Sequence, residues 1–153
     1  AVTIGHFFGV EAEKIDKALN EYEPRNNRSQ LKKTADNTLI IDAYNANPTS
    51  MLAAIGNFRN MQAEKKMLIL GDMRELGKDS AEEHQRIVDY LEEYGFEDVI
   101  LVGELFAATR HTYTTYPDAP ALIAALQKNK PCGKTSLIKG SNGIKLNTVV
   151  DYL

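Results

Sequence analysis

Two short strings carry most of the chemistry open to this sequence. DAYNANPTS, from Asp42 to Ser50, sets a carboxylate, a phenol ring and two carboxamides close together. Asp42 can accept from ribose hydroxyls or a metal-bound water, Asn45 and Asn47 each pair a donor with an acceptor, and Tyr44 offers a flat face on which a base could stack. The same residue types gather at turns, where Asn47 or Ser50 would cap a helix, so composition leaves binding and capping both open. KGSNGIKLN, from Lys139 to Asn147, brings Gly140, Ser141 and Gly143, which let backbone amides approach an anion, beside the charge of Lys139. A carboxylate or phosphate site and a glycine turn with a solvated lysine fit it equally. Arg28 stands alone in the polar stretch RNNRSQ, where it is an exposed surface arginine or an anion ligand.

Other strings fail on spacing. GDMRELGKDS holds Gly71 and Gly77-Lys78, but a phosphate-binding P-loop needs one residue fewer between its glycines. Asp79 also occupies the magnesium-binding Ser/Thr position, and Asp72 and Glu75 would repel phosphate. GKT at Gly133 to Thr135 has no upstream glycine, and no GxGxxG follows the first strand. His84 lies on the apolar face of its helix, as a satisfied histidine does. Cys132 has no identifiable partner, and the acids Glu82, Glu83, Glu92 and Glu93 read as a solvated helix face. No catalytic set and no metal site emerges.

The elements that must position these strings follow from periodicity. Val10, Ile15, Ala18, Leu19 and Tyr22 share one face of a short helix stopped by Pro24. The run SQLKKTADNTLIIDA turns at Ala35 to Asn37 and predicts an antiparallel hairpin. From there apolar strands (TLIIDA, KMLILG, DVILVG, TSLIKG) alternate with helices. One helix begins near Pro48 and buries Met51, Leu52, Ile55, Phe58 and Met61. Another, from Ser80, is predicted to open with a Ser80–Glu83 capping box and to end at Gly95. A third covers PALIAALQKN, and NTVVDYL closes the chain. Strands apolar throughout and separated by helices predict an α/β fold, a mostly parallel sheet with helices on both faces and one antiparallel N-terminal edge strand. In such sheets ligands bind beyond the carboxyl ends of the strands, where both strings lie.

Length and composition agree. A chain of 153 residues, 43% hydrophobic and 25% charged, is enough for one compact domain with a real core. A formal charge of -3, with 18 basic residues scattered among 21 acidic ones, offers no stripe that could track a nucleic-acid backbone. One cysteine makes no internal disulfide, which points to a reducing cytoplasm. No apolar stretch is long enough to insert in a membrane. The start at Ala1, without Met and already inside a patterned segment, suggests a piece of a longer protein.

NNRSQ at Asn26 to Gln30, DAYNANPTSM at Asp42 to Met51, LGDMRELG at Leu70 to Gly77 and KGSNGIKL at Lys139 to Leu146, in this order and spacing, resemble the C-terminal part of the bacterial Mur ligases over essentially the whole chain. DAYNANPTS is the most specific of the four. The family uses ATP to build the peptide stem of cell-wall precursors, and the YNAN form resembles the branch that adds D-alanyl-D-alanine to UDP-N-acetylmuramoyl-tripeptide. The resemblance implies a Rossmann-like domain at residues 25–153, preceded at 1–24 by the last helix of a central ATPase domain. It implies that Arg28 reaches the ATP phosphates, that Asp42 binds ribose with Tyr44, Asn45 and Asn47 around the nucleotide, and that Lys139 and Ser141 lie near the dipeptide carboxylate. LGDMRELG would face the cleft without an assigned role.

The family's reaction runs through an acyl phosphate and needs a P-loop and Mg2+, whose ligands would sit mainly on the central domain. The fragment alone is then expected to carry no catalytic residue and to be inactive, and the intact protein to be a cytoplasmic monomer acting on small molecules. Two alternatives stand beside this reading. One is a sister ligase adding a single amino acid; the other is a free-standing nucleotide-binding or interaction module without chemistry.

Overall fold

The computed structural model describes residues 1–21 and 29–153. Arg28 and Pro24, singled out above, lie outside the described residues. Helix α1 (Val2–Phe7) packs through Gly5 on Ile15 of α2 (Ala12–Asn20), which is the helix expected from the periodicity. Ile15 is buried, whereas Val10 and Leu19, predicted on the same face, remain substantially exposed.

From Gln30 onward the chain builds a six-stranded sheet. In chain order it runs β1 (Gln30–Lys33), β2 (Thr38–Asp42), α3 (Pro48–Asn60), β3 (Lys66–Gly71), α4 (Ser80–Glu93), β4 (Val99–Val102), α5 (Glu104–Ala107), β5 (Thr114–Tyr116), α6 (Ala119–Lys128) and β6 (Thr135–Lys139). The spatial order is β1-β2-β6-β3-β4-β5. Only β1 is antiparallel, pairing Gln30 with Ile41 and Lys33 with Thr38, and every other neighbour is parallel. The predicted class and the antiparallel edge strand are both present.

Alternate strand residues feed opposite faces, as a period of two requires. Leu39, Ile41, Met67, Ile69, Val102 and Ile138 meet α6 and a closing 3-10 segment, Leu146–Tyr152, through Leu122, Leu126, Leu146 and Val149. Leu68, Leu70, Leu101 and Leu137 meet α3, α4 and α5 on the other side through Met51, Ile55, Phe58, Ile87, Val88, Leu91 and Phe106. The closing segment was expected as a helix; it winds as 3-10, and the β-branched run Thr148-Val149-Val150 is a weak α-helix former.

Two helix ends matter for the loops. Helix α3 starts with a reciprocal cap: Ser50 N–H donates to Asn47 Oδ1 at 2.9 Å and Asn47 N–H donates to Ser50 Oγ at 3.2 Å. The box expected at Ser80 and Glu83 does not form. A 3-10 turn, Gly77–Asp79, runs directly into α4, so Ser80 is already helical and Glu83 turns to Arg86. Gly95 ends α4 as predicted, at φ 67°, with Phe96 N–H reaching back to Leu91 C=O.

Candidate functional site

The sheet delivers DAYNANPTS and KGSNGIKLN to one place. Strands β2 and β6 are parallel neighbours in a register that sets Asp42 beside Lys139, the last residue of each. Beyond β2 the small residues Ala43 and Ala46 turn into the two cores, and Tyr44, Asn45 and Asn47 point outward. Gly140 permits β6 to leave close to β3: a Cβ on it would lie 3.0 Å from the Gly71 Cα.

Lys139 is only 2% exposed. Its ammonium donates to Asp42 Oδ2 at 2.5 Å and to the Asn45 carbonyl at 3.2 Å, while Ser29 N–H donates to Asp42 Oδ1 at 3.3 Å. A buried ammonium needs such partners, since taking it from water costs several kcal/mol. The lysine is therefore neither the solvated side chain nor the free anion clamp that its string suggested. Asp42, Tyr44, Asn45, Asn47, Ser50 and Lys139 line a cleft of about 280 Å³. Ligand pockets run from about 300 to 1,000 Å³, so this cleft is the size of part of a site. The donor set suits a nucleoside: Asp42 keeps acceptor capacity beyond its two bonds, and the half-exposed Tyr44 lines the same cleft. Asn47 serves the α3 cap with its side-chain oxygen.

Ser141, two residues beyond Lys139, goes elsewhere. Its Oγ accepts from Arg74 N–H at 2.9 Å and its own N–H donates to the Asp72 carbonyl. The loop Leu70 to Gly77, which had no assigned residues, meets Ser141 through Asp72 and Arg74, and Arg74 lines two further clefts of about 380 and 450 Å³. Nothing in the spacing of the sequence linked positions 72, 74 and 141. His84 is fully buried and satisfied, accepting from Met73 N–H at Nε2 (3.0 Å), with Nδ1 2.6 Å from the Ser80 carbonyl.

A larger cavity, about 910 Å³, opens between β5 and α6 toward the amino ends of β3, β4 and β6, and holds none of the predicted site residues. Tyr113 lines it, and burial, then the Glu92 carboxylate, raises its hydroxyl above 10.0. Parallel sheets work at the carboxyl ends of their strands, so the smaller cleft is the candidate site. Among the described residues no group of three or more His, Cys, Asp or Glu could hold a metal ion, and no helix is long and apolar enough to cross a membrane.

Comparison with known proteins bears on the same residues. A family model described as "Mur ligase, glutamate ligase domain" matches residues 27–142. The UDP-N-acetylmuramoyl-tripeptide--D-alanyl-D-alanine ligase of Bacillus subtilis (strain 168) is 34% identical, over 100% of this chain and 36% of that protein. The ligase of the same description from Rickettsia prowazekii (strain Madrid E) is 32% identical over 94% of this chain and 33% of its own length. A crystal structure of MurF from Acinetobacter baumannii superposes with a TM-score of 0.74 at 28% identity, covering 98% of this chain and 34% of that one. A MurF ligase from Thermotoga maritima, solved in complex with ADP, gives 0.79 at 19% identity over 99% and 35%, a likeness of fold alone. The chain spans about a third of the length of these relatives.

Proposed function

This chain belongs to the Mur ligase family, and from that premise we propose that it is the C-terminal domain of an ATP-dependent ligase that adds D-alanyl-D-alanine to UDP-N-acetylmuramoyl-tripeptide. The observation that carries the reading is the meeting of Asp42 and Lys139: a string suited to a nucleotide and a string suited to a carboxylate open side by side at the ends of adjacent parallel strands. Ligation of this kind requires that juxtaposition, because the amine must attack a carboxylate activated next to the nucleotide. Alignment over 94–100% of the chain with ligases of this description supports it.

In this reading Asp42 accepts from ribose, and Tyr44, Asn45 and Asn47 surround the nucleoside. Ser141 lies near the dipeptide carboxylate, Lys139 stands behind it as a buried charge tied to Asp42 and Asn45, and Arg28 meets the phosphates. ATP supplies the phosphoryl group that activates the tripeptide carboxylate. The residues of this chain bind and orient, and no catalytic group is assigned to them. Magnesium ligands and the P-loop belong to the central domain, whose last part is the segment 1–24 that carries α2. The protein acts as a cytoplasmic monomer.

The test is ADP release by the full-length protein. The reading expects turnover only when UDP-N-acetylmuramoyl-tripeptide and D-alanyl-D-alanine are both supplied. Turnover with a single amino acid in place of the dipeptide would establish the sister-ligase reading instead, and ATP binding without any turnover the free-standing module.

A further inference from the structure

The loop after β3 contains a residue tied to three loops at once. Asp72 N–H donates to the Val102 carbonyl at 3.0 Å, extending the β3–β4 ladder, and the Asp72 carbonyl accepts from Ser141 N–H at 3.2 Å on the β6 side. Its carboxylate, in a residue 5% exposed, accepts from Leu105 N–H at 3.1 Å and from Phe106 N–H at 2.9 Å in the first turn of α5. The seat is cut to fit. Gly103 lies at φ 123°, and a Cβ on it would stand 2.2 Å from that carboxylate. Beneath, His84 accepts from Met73 N–H and stacks edge-on against Phe106, so both neighbours of the carboxylate are fixed by one buried ring.

The consequence falls on Ser141. A hydroxyl has one hydrogen to donate and two lone pairs. Arg74 N–H occupies a lone pair of Ser141 Oγ and so restricts the directions in which the remaining hydrogen can point. Because Arg74 is two residues from Asp72 and Ser141 N–H is bonded to Asp72 itself, those directions depend on where Asp72 stands.

We propose that Asp72 is a positioning residue for the dipeptide half of the site: it locks the loops after β3, β4 and β6 into one rim and thereby aims the Ser141 hydroxyl. The dipeptide part rests on the function proposed above; the locking does not. A carboxylate is required, because two backbone N–H groups converge on its two oxygens. An amide offers one oxygen, and its NH2 would face an N–H.

Two measurements test this. In the 153-residue chain, native-state hydrogen exchange of Leu105, Phe106, Arg74 and Ser141 amides should report one common opening. In Asp72→Asn the four should exchange together at least about tenfold faster, while Leu68, Leu101 and Leu137 keep their protection. In the full-length ligase, Asp72→Asn should raise KM for D-alanyl-D-alanine about tenfold and leave KM for ATP and the UDP-tripeptide within about twofold. Ser141→Ala should do the same, and the double variant should be no worse than Ser141→Ala alone, because both act through one hydroxyl. A merely structural role would lower kcat through loss of folded protein and leave the three KM values together.

Independent opening of the four amides in the unaltered chain overturns the proposal even if Asp72→Asn fails to fold. So does a rise in KM for ATP equal to that for the dipeptide. If the unaltered protein turns over ATP without regard to the dipeptide, the functional reading falls, and the exchange result alone decides whether Asp72 locks the rim.

Discussion

Asp42 stands at a strand end, and from that position its replacement would be expected to disturb nucleotide use without disturbing folding. Its partner changes the expectation. Lys139 is buried, and Asp42 is its counter-ion, keeping 20% side-chain exposure itself. Removing one member of a buried pair leaves an uncompensated charge, at about 3–5 kcal/mol when both are fully buried. With solvent still reaching the carboxylate, Asp42→Ala should cost about 2–3 kcal/mol in urea unfolding of the chain. Adding Lys139→Met should recover most of it, and a double variant no more stable than Asp42→Ala would show that the pair is not the cause. Asn47 caps α3, and a further duty toward the nucleotide can be separated from that one. Asp and Asn cap helices equally well, so Asn47→Asp should melt within about 0.5 kcal/mol of the parent while Asn47→Ala loses about 1 kcal/mol. If the amide NH2 also serves the nucleotide, both variants raise KM for ATP alike. An ATP response that tracked stability instead would leave Asn47 with the cap alone.

Within the elements, the two faces of β4 make opposite forecasts. Leu101 is fully buried against α4 and α5, where a carboxylate could reach neither water nor a partner, so Leu101→Asp should abolish the cooperative melt. Ile100 faces the α6 side, is only partly buried and lines the large cavity, so Ile100→Asp should leave a folded chain with a lowered melting temperature. Equal damage from both would show that the cavity does not admit water to that face. The sequence made much of this legible because strand alternation and helix spacing are local: β2, β3, β4 and β6 and helices α3, α4 and α6 lie where their patterns put them. Local signals also misled. Ser80 and Glu83 have the spacing of a capping box, but a 3-10 turn absorbs the start of α4 and leaves the box no orphan N–H to serve. What could not be read was pairing across the fold. Asp42 and Lys139 are 97 residues apart and Arg74 and Ser141 are 67 apart, and only the parallel crossovers bring them together.

For the whole molecule, size decides what this chain can do alone. Its candidate cleft, about 280 Å³, is the size of part of a ligand site, and no string in the sequence has P-loop spacing to hold a triphosphate. Affinity from a half-site is reduced twice: fewer contacts form, and the ligand surface left in water contributes no burial. The isolated chain should therefore bind ATP at least about a hundredfold more weakly than the full-length protein, by calorimetry, and release no ADP with any combination of substrates. Arg28 supplies the matching control. If it clamps transferred charge across a closing cleft, Arg28→Ala should lower kcat of the full-length ligase by about a hundredfold and leave the weak ATP binding of the isolated chain untouched, because the charge is useful only when both walls are present. Tight ATP binding by the isolated chain, lost in Arg28→Ala, would reverse the argument: the chain would then hold a complete nucleotide site of its own, and the free-standing module would become the better account.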